Sequence, residues 1–113
     1  MSNTMPNNIS DARPNGGLNN LRRALRINSR DNVAVVLNDV QAGEEVVVNA
    51  GKEAVRVTAR EDIAFGHKIA LVPLEAHQPV IKYGEEIGRA KGVIPAGSWI
   101  HLHNLYCQRG RAD

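Results

Sequence analysis

The stretch "DIAFGHKIAL", residues 62 to 71, decides the fold. An apolar residue, Ile63, is followed three positions later by Gly66 and three after that by Ile69. Glycine in the middle suits a turn with positive φ, which it adopts without steric penalty, and the turn then feeds a strand. The same frame recurs in "DVQAGEEV" (39–46), "PLEAHQPV" (73–80) and "VIPAGSWI" (93–100). Its apolar leaders are Val40, Ile63, Leu74 and Ile94, its turn residues Gly43, Gly66, His77 and Gly97, and its apolar followers Val46, Ile69, Val80 and Ile100. Histidine is among the residues that tolerate positive φ, so His77 is read as a turn residue rather than a ligand.

The turn positions are 23, 11 and 20 residues apart. A solenoid needs a constant period, so a compact set of short hairpins folded over one another fits better. The rest of the pattern agrees. "EEVVVN", "EAVRVTAR", "HKIAL", "PVIKY", "IGRAK" and "SWIHLHN" are short extended pieces punctuated by Gly, Asn, Pro or acidic residues, and none sustains a helical period. In "EAVRVTAR" the alternation sends Val55 and Val57 to one face, Arg56 and Thr58 to the other. "LRRALRI" has helical propensity, but "ALRIN", "SRDN" and "VAVVL" read better as two strands around a polar turn. The fold class expected is therefore all-β.

Composition bounds the rest. The chain has 113 residues, 42% hydrophobic and only 4% aromatic, which suits one domain whose core is built from Val, Ile, Leu and Ala. Residues 1–20, rich in Asn, Gly and Pro, are expected to be a flexible extension, 21–106 the folded domain and 107–113 a polar tail. A formal charge of +2 does not suggest a nucleic-acid surface, and the arginines at 22, 23, 26 and 30, with Arg109 and Arg111, read as solvated ends. The single Cys107 cannot form an internal disulfide, and no apolar run resembles a membrane span or signal peptide. A cytoplasmic setting is the default.

Chemistry is sparse. In "SWIHLHNL" a strand period places Trp99, His101, His103 and Leu105 on one face, with the two histidine α-carbons about 6.5 to 7 Å apart. Both imidazoles could then reach one ion or one anionic ligand, although two histidines supply only half a metal shell. "GHKIAL" adds His67 and Lys68 after a turn glycine: His67 as a third imidazole, Lys68 as a carboxylate anchor. "IKYGEEIGRA" reads as strand, tight turn, strand, with Gly84 in the turn and Gly88 admitting close backbone approach. It carries Lys82, Tyr83, Glu85 and Glu86, of which the carboxylates read as solvent-facing. No nucleophile elbow, phosphate-binding glycine loop, H-E-x-x-H or paired-cysteine motif is present.

Taken in order, "DNVAVVLNDVQAGEEV", "VTAREDIAFGHKIAL", "PVIKYGEEIGRA" and "IPAGSWIHLHNL" resemble the amino-terminal SAF domain of the altronate and galactarate dehydratase family, from about Asn28 to Leu105. The resemblance implies a β-clip, a long hairpin folded over itself. It also implies a hydro-lyase that eliminates water from a sugar acid with a divalent metal such as iron or manganese, held mainly by a large catalytic region. Because the chain stops at Asp113, it is expected to act as a separate small subunit, inactive alone, beside a large catalytic subunit, with homo-oligomers allowed. Within the matched segments the resemblance implies catalytic roles for His67, His101 and His103, metal contact by His101 and His103, and substrate binding by Lys68, Lys82, Tyr83 and Asn104. His77 departs from the family's glycine. The rival expectations are the alpha subunit of a sulfolactate sulfo-lyase, or a non-catalytic SAF ligand-binding module.

Overall fold

In a computed structural model, which describes residues 21–50 and 53–107, the chain forms nine short strands and no helix among the described residues. The expectations for residues 1–20 and 108–113 lie outside the described residues. Strands β1 (Arg22–Leu25), β2 (Val33–Val36), β3 (Glu45–Ala50), β4 (Glu53–Thr58), β5 (Lys68–Ala70) and β8 (Trp99–Ile100) make one sheet in the order β4-β3-β1-β2-β5-β8. Strands β6 (Pro79–Lys82), β7 (Glu85–Ala90) and β9 (Leu105–Tyr106) make the second. All pairings are antiparallel except β1 with β3. "LRRALRI" is thus a strand that turns into β2, because β1 finds partners on both edges and tertiary pairing outweighs helical propensity.

The four repeats are the joints of the clip. Val40 and Ile63 exchange backbone hydrogen bonds of 2.8 Å in both directions, and so do Leu74 and Ile94. The repeats therefore work as two antiparallel pairs. Gly43, Gly66, His77 and Gly97 all have positive φ, at 91°, 88°, 69° and 89°. All four leaders and all four followers are buried. At Gly97 the requirement is also spatial, since a Cβ there would run into the Thr58 carbonyl of β4.

Alternation along β5 divides the core. Ile69 joins a cluster with Val36, Val40, Val46, Val48 and Ile63. Ala70 turns the other way, into a cluster with Val33, Leu74, Val80, Ala90 and Ile100. Burying each such aliphatic side chain contributes about 1.5–3 kcal/mol, which is how strands of two to six residues hold together. Asn32 ties the two sheets: its Nδ2 donates to the Pro79 carbonyl at 3.0 Å and its Oδ1 accepts from the Ile81 amide at 2.8 Å. The "IKYGEEIGRA" hairpin forms as expected, with Tyr83 and Gly84 at positive φ and Gly88 pressed against the Tyr106 carbonyl.

Val55 and Val57 share a face as expected, paired with Val48 and Val46, with Val57 buried and Val55 38% exposed. One local expectation is corrected: "HLHN" is not strand, because β8 ends at Ile100 and residues 101–104 form a turn. No helix of the described residues is long and apolar enough to cross a membrane.

Candidate functional site

Trp99 is the centre around which the candidate residues gather. Its backbone amide donates to Glu61 Oε2 at 2.9 Å, fixing the edge strand β8. Its partner across the ladder is Ile69, so the indole lies on the face of β5 that His67 also uses, packed against the first core cluster. The indole Nε1–H donates to His67 Nδ1 at 3.1 Å. His101 stacks on the indole with centroids 5.2 Å apart and planes 12° apart, while His103 lies 4.9 Å away. The His67 and His101 rings are 5.3 Å apart.

The turn after β8 brings this about. The Asn104 amide donates to the His101 carbonyl at 3.1 Å, closing the turn. The Asn104 side chain accepts from the His101 amide at 2.9 Å and donates to the Trp99 carbonyl at 2.8 Å. His101 and His103 therefore fold back over Trp99, rather than standing side by side on a strand. Asn104, singled out for substrate, is engaged in holding this turn.

His67 and Lys68 are adjacent in sequence yet face opposite ways. Lys68 pairs with Val35 and Ile100, and Ile100 belongs to the second core cluster, so Lys68 lies on that side of β5. It is half-buried and has no ion-pair partner among the described residues. Burial, and secondarily the charge of Lys82, lower its pKa from the ordinary lysine value. Lys82 itself lies over the Tyr83 ring, 4.7 Å from its centroid. The structure thus makes two groups of the candidates: His67, His101 and His103 around Trp99, and Lys68 with Lys82 and Tyr83 on the other side.

The described residues do not by themselves fit a divalent metal. No three His, Cys, Asp or Glu side chains among them come together as a ligand set. His67 Nδ1 is taken by the indole, and both His101 and His103 rest against the same ring.

Beside the cluster is an open cleft of about 530 Å³, lined by Asp39, Gln41, Asp62, His67 and Trp99 over the Val40–Ile63 bridge. The two aspartates are placed reciprocally. Asp39 Oδ1 accepts from the Phe65 amide and Asp62 Oδ1 from the Ala42 amide, each at 2.9 Å. These residues, with Glu61 and Trp99, were not legible as site residues from the "HLH" spacing. The available signal was the acid that opens the first two repeats, where the other two have Pro73 and Val93.

Fold and site together define a β-clip domain carrying an open cluster of histidines around one indole. More particularly, the chain belongs to the altronate/galactarate dehydratase SAF domain family, whose model matches residues 22–108. It is similar to altronate dehydratase of Escherichia coli (strain K12), with 45% identity over 80 residues, 71% of this chain and 15% of that protein. Altronate dehydratase of Bacillus subtilis (strain 168) is 36% identical over 84 residues, 74% of this chain and 16% of that protein. The chain thus spans only a small part of the length of these dehydratases. The (2R)-sulfolactate sulfo-lyase subunit alpha of Paracoccus pantotrophus is 43% identical over 63 residues, 56% of this chain but 94% of that protein. The relatives are lyases.

Proposed function

We propose that this chain is the small SAF subunit of an altronate dehydratase-like hydro-lyase, and that it completes a sugar-acid site whose larger part lies on a separate catalytic subunit. The observation that carries this is the open, one-sided cluster around Trp99. Three imidazoles are set in fixed relation to the indole of the edge strand β8, two of them from the turn after it, with His67 and His101 half-buried and His103 exposed. Eliminating water from a 2,3-dihydroxy acid needs a base for the proton beside the carboxylate, an acid for the departing hydroxyl and exclusion of bulk water. A divalent metal, where bound, would stabilise the enediolate, and it belongs to the large subunit in this reading. On this chain, His101 and His103 are the groups free to meet substrate, with Lys68 and Lys82 as cationic groups on the other side of β5. That the match covers 94% of a protein named as a subunit alpha supports the two-chain arrangement.

A second reading, the alpha subunit of a sulfolactate sulfo-lyase, is favoured by the same observation, that the match covers 94% of the Paracoccus protein. One experiment addresses both. The tagged chain is recovered from native extract and the eluate is assayed with divalent metal for dehydration of altronate and galactarate and for release of sulfite from sulfolactate. The expected result is a large partner and dehydratase activity that the small chain lacks alone. Sulfite release without dehydration would replace the first reading by the second, and recovery of the chain alone and inert would end both.

A further inference from the structure

We infer that the cleft between the first two repeats is a polyol site, taking the hydroxyl-bearing carbon chain of a ligand rather than its carboxylate. The choice of ligand rests on the sugar-acid reading above; the cleft chemistry does not.

Asp39 and Asp62 each give Oδ1 to a backbone amide of the opposite repeat, and neither second oxygen has a hydrogen bond among the described residues. The bridge itself does not require these acids. Leu74 and Ile94 make the same two 2.8 Å backbone bonds with Pro73 and Val93 in the corresponding places. The two carboxylates therefore present acceptor oxygens that the fold leaves unused. Beside them, His67 offers a donor of defined identity. An indole N–H can only donate, so the 3.1 Å contact with Trp99 makes His67 Nδ1 an acceptor, and the proton of the neutral ring resides on Nε2. Gln41 adds an amide that both donates and accepts, and the half-buried indole of Trp99 adds an apolar wall.

Two carboxylate acceptors, one fixed donor, one amide and an aromatic surface match a chain of hydroxyls on carbon. Each hydroxyl both donates and accepts, and its C–H face packs on an aromatic ring. The same lining repels a carboxylate, because two negative charges face the space it would occupy. A polyhydroxylated acid would lie with its tail in this cleft and its carboxylate pointing away from it. Trp99 is then a positioning residue for His67 as well as a wall.

The test uses the full 113-residue chain and its single tryptophan, whose indole N–H gives one resolved resonance in a ¹H–¹⁵N spectrum. It is titrated to tens of millimolar with gluconate, with the neutral polyol sorbitol, and with lactate, which has the carboxylate and 2-hydroxyl but no tail. Gluconate and sorbitol should both shift the indole resonance saturably, and lactate should not. Asp39→Asn with Asp62→Asn keeps both Oδ1 acceptors and hence the turns, and should weaken sorbitol binding about tenfold. A lactate shift equal to that of gluconate, no shift with any of the three, or undiminished sorbitol binding by the double variant would each overturn the polyol site. Failure to recover a large partner would end the subunit reading and leave this titration unaffected, so the two fail separately.

Discussion

The backbone amide of Gly84 lies 2.7 Å from Asp31 Oδ1, which ties the β6–β7 turn to the loop before β2. Asp31 is only 5% exposed, and its other oxygen accepts from the Asn28 amide at 3.1 Å. Burial pushes its carboxyl upward, but the amides of Gly84, Asn28, Tyr83 and Ile27 outweigh it and hold the pKa below the ordinary value. A depressed folded pKa contributes stability that is present above the unfolded value of about 3.9 and is lost as pH falls through the folded one. Asp31→Asn should cost about 2 kcal/mol at neutral pH. Urea unfolding from pH 6 to pH 2 should show the difference between wild type and variant shrinking below about pH 4.

Glycines of the repeats separate two costs that are usually mixed. Gly43 and Gly97 have nearly equal φ, 91° and 89°, but a Cβ at Gly43 meets open space while one at Gly97 meets the Thr58 carbonyl. Gly43→Ala should therefore cost about 1–2 kcal/mol, the price of the left-handed backbone alone. Gly97→Ala must also displace β4 and disturb the hydrogen bond from the Arg60 amide to the Gly97 carbonyl, so it should cost about 3 kcal/mol or more. Paired denaturant titrations of the two variants check this, and equal losses would refute the close-approach argument.

Asn104 holds the histidines over Trp99 through both ends of its amide. Asn104→Ala should loosen the 101–104 turn, cost about 1–2 kcal/mol and release His101 and His103 from the indole. The ring-current shifts of their imidazole protons should move toward random-coil values, while the His67 ring, which is fixed from β5, keeps its contact with Trp99.

The clip was legible because its joints repeat a steric requirement. A turn with positive φ selects glycine, and the bridge on either side selects buried aliphatics, so four copies stand out even at irregular spacing. His77 shows the limit of the glycine rule: it holds φ 69° with its Nδ1 set 3.0 Å from the Tyr106 hydroxyl, a contact between residues far apart in sequence. The end of β8 was not legible, because "WIHLH" alternates as a strand does and only the Asn104 bonds reveal the turn. For the site, "GHK" placed His67 and Lys68 together, whereas pairing of Lys68 with Ile100 separates them onto opposite faces. The strand period puts Trp99 only on a shared face with His101 and His103, and its contact with His67 is what gives it a role. Such contacts join residues 32 positions apart, and local pattern does not encode them.

Lys68 gives a pH dependence of the same sense as Asp31, stability rising with pH, but as a penalty relieved at high pH rather than a gain lost at low pH. Burial and the neighbouring charge of Lys82 lower its folded pKa, so the cost of keeping the ammonium in place applies in full at neutral pH. That cost is relieved as pH rises from the folded value to the unfolded one of about 10.4. Lys68→Met retains the aliphatic stem and removes the charge. The variant should be more stable than wild type at pH 7, with the gap narrowing by pH 10 in urea midpoints; a gap that is constant with pH would show that packing, not charge, sets it.

The histidines that fold over Trp99 are the most direct link between this geometry and turnover. His101 is half-buried and His103 exposed, and neither side chain forms a hydrogen bond among the described residues, so their ring nitrogens are available to a partner or substrate. Replacing both by glutamine preserves much of their size and polarity and leaves the Asn104 turn, which uses backbone and Asn104 atoms only. The double variant loses the stacking on Trp99 and should give up no more than about 1.5 kcal/mol of unfolding free energy while staying folded. In the complex recovered with its large subunit, turnover should fall about tenfold or more, the scale set by loss of a positioned proton-transfer group. A kcat that falls with KM unchanged assigns them to the chemical step, whereas a rise in KM alone assigns them to substrate binding. Unchanged kcat and KM in a complex of normal composition would remove both residues from the site and leave them as packing for the indole.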